Sequence, residues 1–121
     1  MSKNIELGSQ GERLAHDFLV NQGYKILEKN WRSGKAEVDL IAIHAKTVIF
    51  IEVKTRSSNF FAQPESSVDA NKQKLMAKAA GDYLAQNNLE GEIRFDVISI
   101  ILKGSKNEIV HFEDAFFPYD L

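Results

Sequence analysis

Acidic residues interrupt two neighbouring apolar segments of the chain, and a lysine follows the second acid-bearing position. The acids are Glu37 and Asp39 in residues 36–43 and Glu52 in residues 48–55, and the lysine is Lys54. Burying carboxylates costs free energy unless they are protonated, paired with a cation or bound to a metal. These residues therefore indicate a chemical site before they indicate a fold.

The two segments are predicted to form a β-hairpin around the turn 44–47. A symmetric turn places Asp39 opposite Glu52 and Glu37 opposite Lys54, and alternation puts all four on one face. Opposed side chains lie about 4.5–5.5 Å apart at Cβ, so two acids there repel each other. A divalent cation with oxygen ligands would relieve this repulsion, and carboxylates suit Mg²⁺ or Mn²⁺.

A purely structural interpretation of the same residues stays open at this point. Glu37 and Lys54 could form a cross-strand ion pair while Asp39 and Glu52 lie on a solvated face, which antiparallel sheets often have. Apolar residues predicted on that face argue against free exposure. They are Ile41, Val48 and Phe50, with Ile41 opposite Phe50.

The elements that position these residues follow from apolar periodicity and from turn residues. We predict helices over 8–22 and 70–86, and strands over 24–31, 36–43, 48–55, 92–102 and 108–112. Gly23 suits a left-handed helix end, and Asp69 suits an N-cap. Residues 57–67 form a predicted loop that carries Phe60 and Phe61, and residues 116–118 an irregular tail. The order α-β-β-β-α-β-β predicts an α/β fold with a mixed central sheet flanked by helices.

Two further groups of residues allow two interpretations each. Glu12 lies beside the apolar stripe of the first helix and could point to the sheet, or lie in water near the helix N-terminus. Lysines and one arginine gather at two places and could bind a polyanion, or form ordinary solvated faces. They are Lys54 and Arg56 after the second strand of the hairpin, and Lys72, Lys74 and Lys78 in the second helix. The three histidines are scattered and predict no metal cluster.

Composition narrows the class of protein. The chain has 121 residues, a net charge of −2 and no cysteine, so we expect one domain over 1–121 without disulfides or thiolate metal sites. No apolar run has the length of a signal peptide core or of a membrane span. We therefore expect a soluble, cytoplasmic protein.

The acid-bearing strands resemble a known enzyme core. Asp39 followed by Glu52-Val53-Lys54 is similar to the PD-(D/E)XK nuclease motif, in which an Asp and a Glu-x-Lys lie on adjacent central strands. Over nearly its full length the chain resembles the YraN family of uncharacterised, endonuclease-like bacterial proteins. The matching segments include 8–15, 23–24, 30–32, 37–41, 50–56, 64–65, Lys72 and 94–97.

This resemblance implies a restriction-endonuclease-like three-layer fold, similar to that of archaeal Holliday-junction resolvases. It implies that Asp39 and Glu52 bind Mg²⁺ or Mn²⁺, that Lys54 is the catalytic lysine and that Glu12 is the glutamate carried by the helix. We expect the carbonyl of Val53 to be a further metal ligand. Candidate nucleic-acid contacts are Arg56, Lys72, Gln73 and Lys74.

The expected activity is metal-dependent endonucleolytic hydrolysis of phosphodiester bonds in DNA, with branched or damaged DNA as the candidate substrate. The alternative is a non-catalytic module with a vestigial site that binds nucleic acid or a protein partner. An RNA nuclease is a third interpretation, because backbone hydrolysis does not reveal the sugar. Related resolvases act as dimers, so a homodimer is a further expectation.

Overall fold

The computed structural model describes residues 3–56 and 68–117, with side chains from residue 8 onward. Its elements are α1 (Lys3–Asn21), β1 (Lys25–Ser33), β2 (Ala36–His44), β3 (Thr47–Arg56), α2 (Ala70–Gln86), β4 (Ile93–Lys103) and β5 (Lys106–Phe112). The predicted order is confirmed. The first helix begins at Lys3, earlier than the predicted residue 8. Most strands extend by one or two residues into the turns next to them. The predicted loop 57–67 lies outside the described residues.

The five strands form one mixed sheet in the order β1-β2-β3-β4-β5. Neighbouring strands are antiparallel except β3 and β4, which pair in parallel from Val48↔Ile93 to Arg56↔Ile101. Parallel neighbours need a long crossover connection, and α2 lies within that connection. The crossover therefore places α2 beside the central strands that carry the candidate site.

The helices cover opposite faces of the sheet. Val48 and Phe50 of β3 pack with Met76 and Tyr83 of α2 in one core cluster. The alternating residues Ile49 and Ile51 pack with Ala15 and Leu19 of α1 in the other. The fold therefore has three layers, and β3 is apolar on both faces because both are buried.

Local signals end or begin the helices as predicted. The N–H groups of Gly23 and Tyr24 donate to the carbonyls of Val20 and Leu19, and Gly23 has φ +91°, which together form a Schellman motif. Asp69 caps α2 by accepting a hydrogen bond from the Lys72 N–H at 2.8 Å. Within the described residues, no helix is long and apolar enough to cross a membrane.

The segment after β5 returns to the sheet. The Ala115 N–H donates to the Phe95 carbonyl at 2.8 Å, and the Phe116 ring stacks on Phe95 with 5.3 Å between centroids. The irregular tail predicted over 116–118 is thus anchored by Phe116, while Pro118 lies outside the described residues.

A candidate active site between β2, β3 and α2

The hairpin has the predicted register, but its strands part at the acids. Backbone pairing runs from His44↔Thr47 through Ile41↔Phe50 and ends at Leu40↔Ile51. Asp39 and Glu52 would be the next pair. Instead, Oδ2 of Asp39 accepts a hydrogen bond from the Val53 N–H at 2.7 Å. The carboxylate therefore takes a backbone donor, and the sheet opens at this point.

The strict alternation assumed for β2 is wrong at the same place. Val38 and Ile41 are three positions apart, yet both pack in the core cluster beneath α2. Leu40 packs in the cluster beneath α1. The faces of β2 therefore slip by one residue near Asp39, because its side chain bonds the neighbouring backbone instead of projecting regularly.

The opened end of the hairpin borders a cavity of about 300 Å³ between the sheet and α2. Charged and polar residues from β2, β3, α2 and the turn before β2 contribute to its wall. They include Lys35, Glu37, Asp39, Glu52, Asn71 and Lys72. The acids derived from the sequence are thus brought together, although Glu37 forms its ion pair with Arg32, at 3.1 Å, rather than with the predicted Lys54.

Glu52 is buried and faces two lysines. Its Oε1 forms an ion pair and a short hydrogen bond with Nζ of Lys72, and an ion pair with Nζ of Lys54 at 3.4 Å. Burial disfavours a charged amine, but the hydrogen bond and charge of Glu52 outweigh it and raise the pKa of Lys72. Lys72 is therefore an ammonium and supplies most of the positive charge that Glu52 receives from α2.

In the described part of the chain, no cation forms an ion pair with Asp39. Burial and the neighbouring Glu52 charge raise the pKa of Asp39 to about 7, while the Val53 N–H opposes the shift. An acid with this pKa is only partly ionised near neutrality, so the pair carries less than two negative charges in the absence of an added cation.

Glu12 lies on α1, where it lines a cavity with Lys29 and Asn30 that is separate from the cavity between the sheet and α2. The amide of Asn30 hydrogen-bonds its carboxylate, and burial followed by the charges of Glu37 and Glu52 raises the pKa of Glu12. Asn30 has φ +50°, a left-handed conformation that asparagine tolerates well. Pairs on either side place Asn30 opposite Asp39. Glu12 is half-buried, so it is neither fully solvated nor inside the cavity that Asp39 and Glu52 border.

The close packing of α1 against β3 depends on a glycine next to Glu12. A Cβ on Gly11 would lie 1.8 Å from Oγ1 of Thr55 in β3. Only a residue without a side chain lets the helix approach the strand so closely. Gly11 thus sets the height of Glu12 above the strand that carries Glu52 and Lys54.

The other predicted contacts divide into two groups. Lys72 lies in the site, whereas Gln73 donates to the Val68 carbonyl at 3.0 Å and Lys74 lines a separate cavity with Lys78. Arg56 ends β3 beyond Lys54 and is half-buried. The sequence did not single out Lys35 or Asn30. The glycine turn before Lys35 was an available signal, whereas Asn30 does not stand out in β1 because Glu28 and Lys29 precede it.

The donor atoms are of the type that binds a divalent cation, but they are not arranged around one position. Asp39 and Glu52 supply carboxylate oxygens, the ligand type that suits Mg²⁺ and Mn²⁺. A cation bound between them would relieve their repulsion. Within residues 3–56 and 68–117, however, no group of three or more His, Asp or Glu side chains is arranged to hold a metal ion. Glu52 is directed at Lys72 instead.

A second acid, which is buried, lies in β4 between Phe95 and Val97. Asp96 is 0% exposed. Nε and Nη2 of Arg94 donate to it at 2.8 Å, the Asp114 N–H donates at 2.9 Å, and Nε2 of His111 lies 2.7 Å from Oδ2. His111 therefore has a structural partner, and this cluster fastens β5 and the following turn to β4.

Comparison with known proteins gives a family but no activity. Residues 11–100 match the model of an uncharacterised protein family, UPF0102. A UPF0102 protein of Flavobacterium psychrophilum is 43% identical over 119 residues, which cover 98% of this chain and 100% of that protein. One of Thermodesulfovibrio yellowstonii is 46% identical over 113 residues, or 93% of this chain and 97% of that protein.

One solved structure is a weaker match. It is SfsA of Pyrococcus furiosus, in complex with Ca²⁺, with 15% identity and a TM-score of 0.42. The match covers 91% of this chain and 63% of that one, so this chain spans less than two thirds of SfsA.

Proposed function

This chain belongs to the uncharacterised protein family UPF0102, and we propose that it is a metal-dependent endonuclease of the PD-(D/E)XK type. In that interpretation it also belongs to the YraN family that its sequence resembles, and it hydrolyses phosphodiester bonds of DNA. The observation that carries the proposal is the cavity where the strands part. There Asp39 and Glu52 meet, while Lys54 and Lys72 contact Glu52.

Four groups of this chain would hold a Mg²⁺ or Mn²⁺ ion. They are the carboxylates of Asp39, Glu52 and Glu12 and the carbonyl of Val53. When bound, the ion supplies positive charge that acidifies a water molecule and stabilises charge on phosphoryl oxygens. The raised pKa of Asp39 supports this assignment, because an added cation would favour the ionised form that burial and the second acid disfavour.

The lysines act on the phosphate and on the attacking water. Nζ of Lys54 lies 3.4 Å from Glu52, so it stays beside the acids and orients water or neutralises charge that develops on the phosphate. Lys35 and Asn71 line the cavity and supply further donors. Arg56 continues β3 beyond Lys54 and contacts a neighbouring phosphate, a type of contact that positions the backbone without reading bases.

The charge of the protein bears on how the substrate binds. Net charge is −2, so binding depends on the local lysines and not on a strongly basic surface. Branched, flapped or damaged DNA is the proposed class of substrate. A cytoplasmic homodimer remains part of the proposal.

The experiment compares wild-type protein with Asp39→Ala and with Lys74→Ala as a matched control, since Lys74 faces another cavity. Linear, flapped and branched DNA and single-stranded RNA are incubated with each protein and Mn²⁺. We expect cleavage of DNA by the wild type and by Lys74→Ala, and loss of about a hundredfold or more in Asp39→Ala. Equal cleavage by Asp39→Ala would remove the assigned site, and cleavage of RNA alone would change the substrate class.

A second candidate is a non-catalytic module that binds nucleic acid or a partner through a vestigial site. It is supported by the engagement of Glu52 with Lys72 and Lys54, which leaves the acid already neutralised. DNA binding by the wild type without any cleavage in Mn²⁺ would favour this candidate.

A further inference from the structure

Lys72 stands where a cation is needed, and its backbone is fixed there. The Asp69 cap accepts its N–H at 2.8 Å, which places it in the first turn of α2. From there Nζ reaches Oε1 of Glu52. The structure therefore positions an ammonium on the carboxylate that the proposed metal would use.

The two partners differ in how easily they can leave. The side chain of Lys72 is 38% exposed, whereas that of Glu52 is only 6% exposed. A lysine with a long, flexible stem can rotate its charged end into water, while a buried carboxylate has to keep a positive partner. Any rearrangement at this pair thus moves Lys72 and leaves Glu52 in place.

We propose that Lys72 is an internal counter-ion which a divalent cation displaces from Glu52, so that the site loads its metal by exchanging one cation for another. This inference rests on the proposed function and adds how the same site is controlled. In the metal-free protein Lys72 keeps the buried Glu52 neutralised. After the exchange its ammonium is free within the cavity that Lys35 and Asn71 also line.

The exchange makes an order of binding. While Lys72 is bound to Glu52, its charge is consumed inside the protein and little is left for a phosphate. Once released, the same ammonium faces the cavity as a phosphate-binding charge. Metal therefore binds first and creates part of the substrate site, which prevents tight binding of nucleic acid by the metal-free protein.

Lys54 does not take this role. Its Nζ lies at 3.4 Å from the same oxygen, longer than an ordinary hydrogen bond, and it belongs to β3 next to Glu52. Lys74 provides a matched comparison, because it lies on the same helix two positions further along and lines the other cavity.

The first experiment is calorimetric titration of Mn²⁺ into wild-type protein, Lys72→Met and Lys74→Met. Removing the competing ammonium is expected to tighten Mn²⁺ binding by about tenfold in Lys72→Met, the equivalent of one charged hydrogen bond, and to leave Lys74→Met unchanged. Wild-type binding with no tightening in Lys72→Met overturns the exchange and leaves the nuclease proposal intact. If none of the three proteins binds Mn²⁺, the exchange and the metal-dependent nuclease are both overturned.

A second experiment uses the wild type alone, so it decides the matter even where Lys72→Met does not fold. Lysine amines are labelled with an acetylating reagent and counted by mass spectrometry, with and without saturating Mn²⁺. We expect Mn²⁺ to increase labelling of Lys72, and a chelator to reverse the increase, while labelling of Lys74 stays constant. Equal or lower labelling of Lys72 in Mn²⁺ overturns the proposal.

Discussion

Two aspartates lie on the strands that flank β3, the buried Asp96 and the half-buried Asp39, and their hydrogen-bond donors differ. Asp96 on β4 receives two hydrogen bonds from Arg94 and one from the Asp114 N–H, and contacts His111. Within the described residues, the Asp39 carboxylate on β2 accepts one hydrogen bond, from the Val53 N–H. Asp96 therefore has several donors, whereas Asp39 has one donor and would gain from a cation.

The pKa values follow this difference. Burial alone would raise the pKa of Asp96, but the bonds from His111, Arg94 and Asp114 outweigh it and lower that pKa. Burial and Glu52 raise the pKa of Asp39 to about 7. The donors around an acid therefore decide whether it is a structural feature or a candidate site. Burial alone does not distinguish the two.

The largest effect is expected from Asp96→Asn. The change leaves Arg94 without its buried counter-charge, and breaking such a pair costs about 3–5 kcal/mol of unfolding free energy. Urea denaturation followed by circular dichroism measures the loss. Asp39→Asn is the comparison and should cost far less at neutral pH. Equal losses in the two variants would contradict the contrast between the clusters.

The position of α1 can be tested with two glycines of the same helix. Gly11→Ala is expected to lose about 1–3 kcal/mol, because its Cβ would overlap the Thr55 side chain and push the helix away from β3. Gly8→Ala is the matched control, since open space surrounds its Cβ, and it should gain slightly from helix propensity. Urea unfolding of both variants checks this.

A partial rescue of Gly11→Ala by Thr55→Ala would show that the clash is local. If Gly11→Ala were as stable as Gly8→Ala, α1 would not lie as close to β3 as described, and Glu12 would lose its place beside the acids.

Much of the candidate site was predictable because it is local. The apolar pattern of two strands and their turn was enough to predict Ile41↔Phe50, and with it the approach of Asp39 to Glu52. The opening of the hairpin was not predictable, because the bond from Val53 to Asp39 replaces the regular pairing that the pattern assumes.

Contacts between distant segments were out of reach for the same reason. Lys72 arrives at Glu52 only after α2 crosses from β3 to the parallel β4, so its charged side chain looked like part of a solvated helix. Asp96 alternates with Phe95 and Val97 as a solvent-facing residue would. Its neighbour Arg94, two positions away on the same strand, was the one local sign of a buried ion pair.

The pH dependence of stability should have opposite signs for the two acids. The folded-state pKa of Asp39, about 7, lies above the ordinary 3.8, so the folded protein retains a proton that the unfolded chain releases between these values. Its contribution is complete below about pH 4 and is lost as pH rises through about 7.

Urea unfolding in chelator across this range tests the prediction. The wild type should lose stability relative to Asp39→Asn as pH rises. Relative to Asp96→Asn it should gain as pH rises through the acid range, because the pKa of Asp96 is lowered. Parallel profiles for both variants would mean that the two acids have similar surroundings.

The smallest effect should come from the edge of the saturated cluster. Tyr24→Phe removes a hydroxyl that accepts from Nη2 of Arg94 at 2.9 Å and donates to Glu113 at 3.1 Å. All donors to Asp96 remain, as does the stacking of the ring on His44, so we expect a loss of about 0.5–1.5 kcal/mol.

Tyr83→Phe is the matched control, since it removes one hydroxyl bond to Glu28, at 3.3 Å, away from both acids. In a double-mutant cycle, the Tyr24→Phe/Asp96→Asn double variant should lose less unfolding free energy than the sum of the two single variants. The reason is that Arg94 is already poorly held once Asp96 is replaced by a neutral residue. A Tyr24→Phe loss as large as that of Asp96→Asn would show that the hydroxyl, rather than the number of donors on Asp96, holds the cluster together. The contrast with Asp39 would then rest on Tyr24.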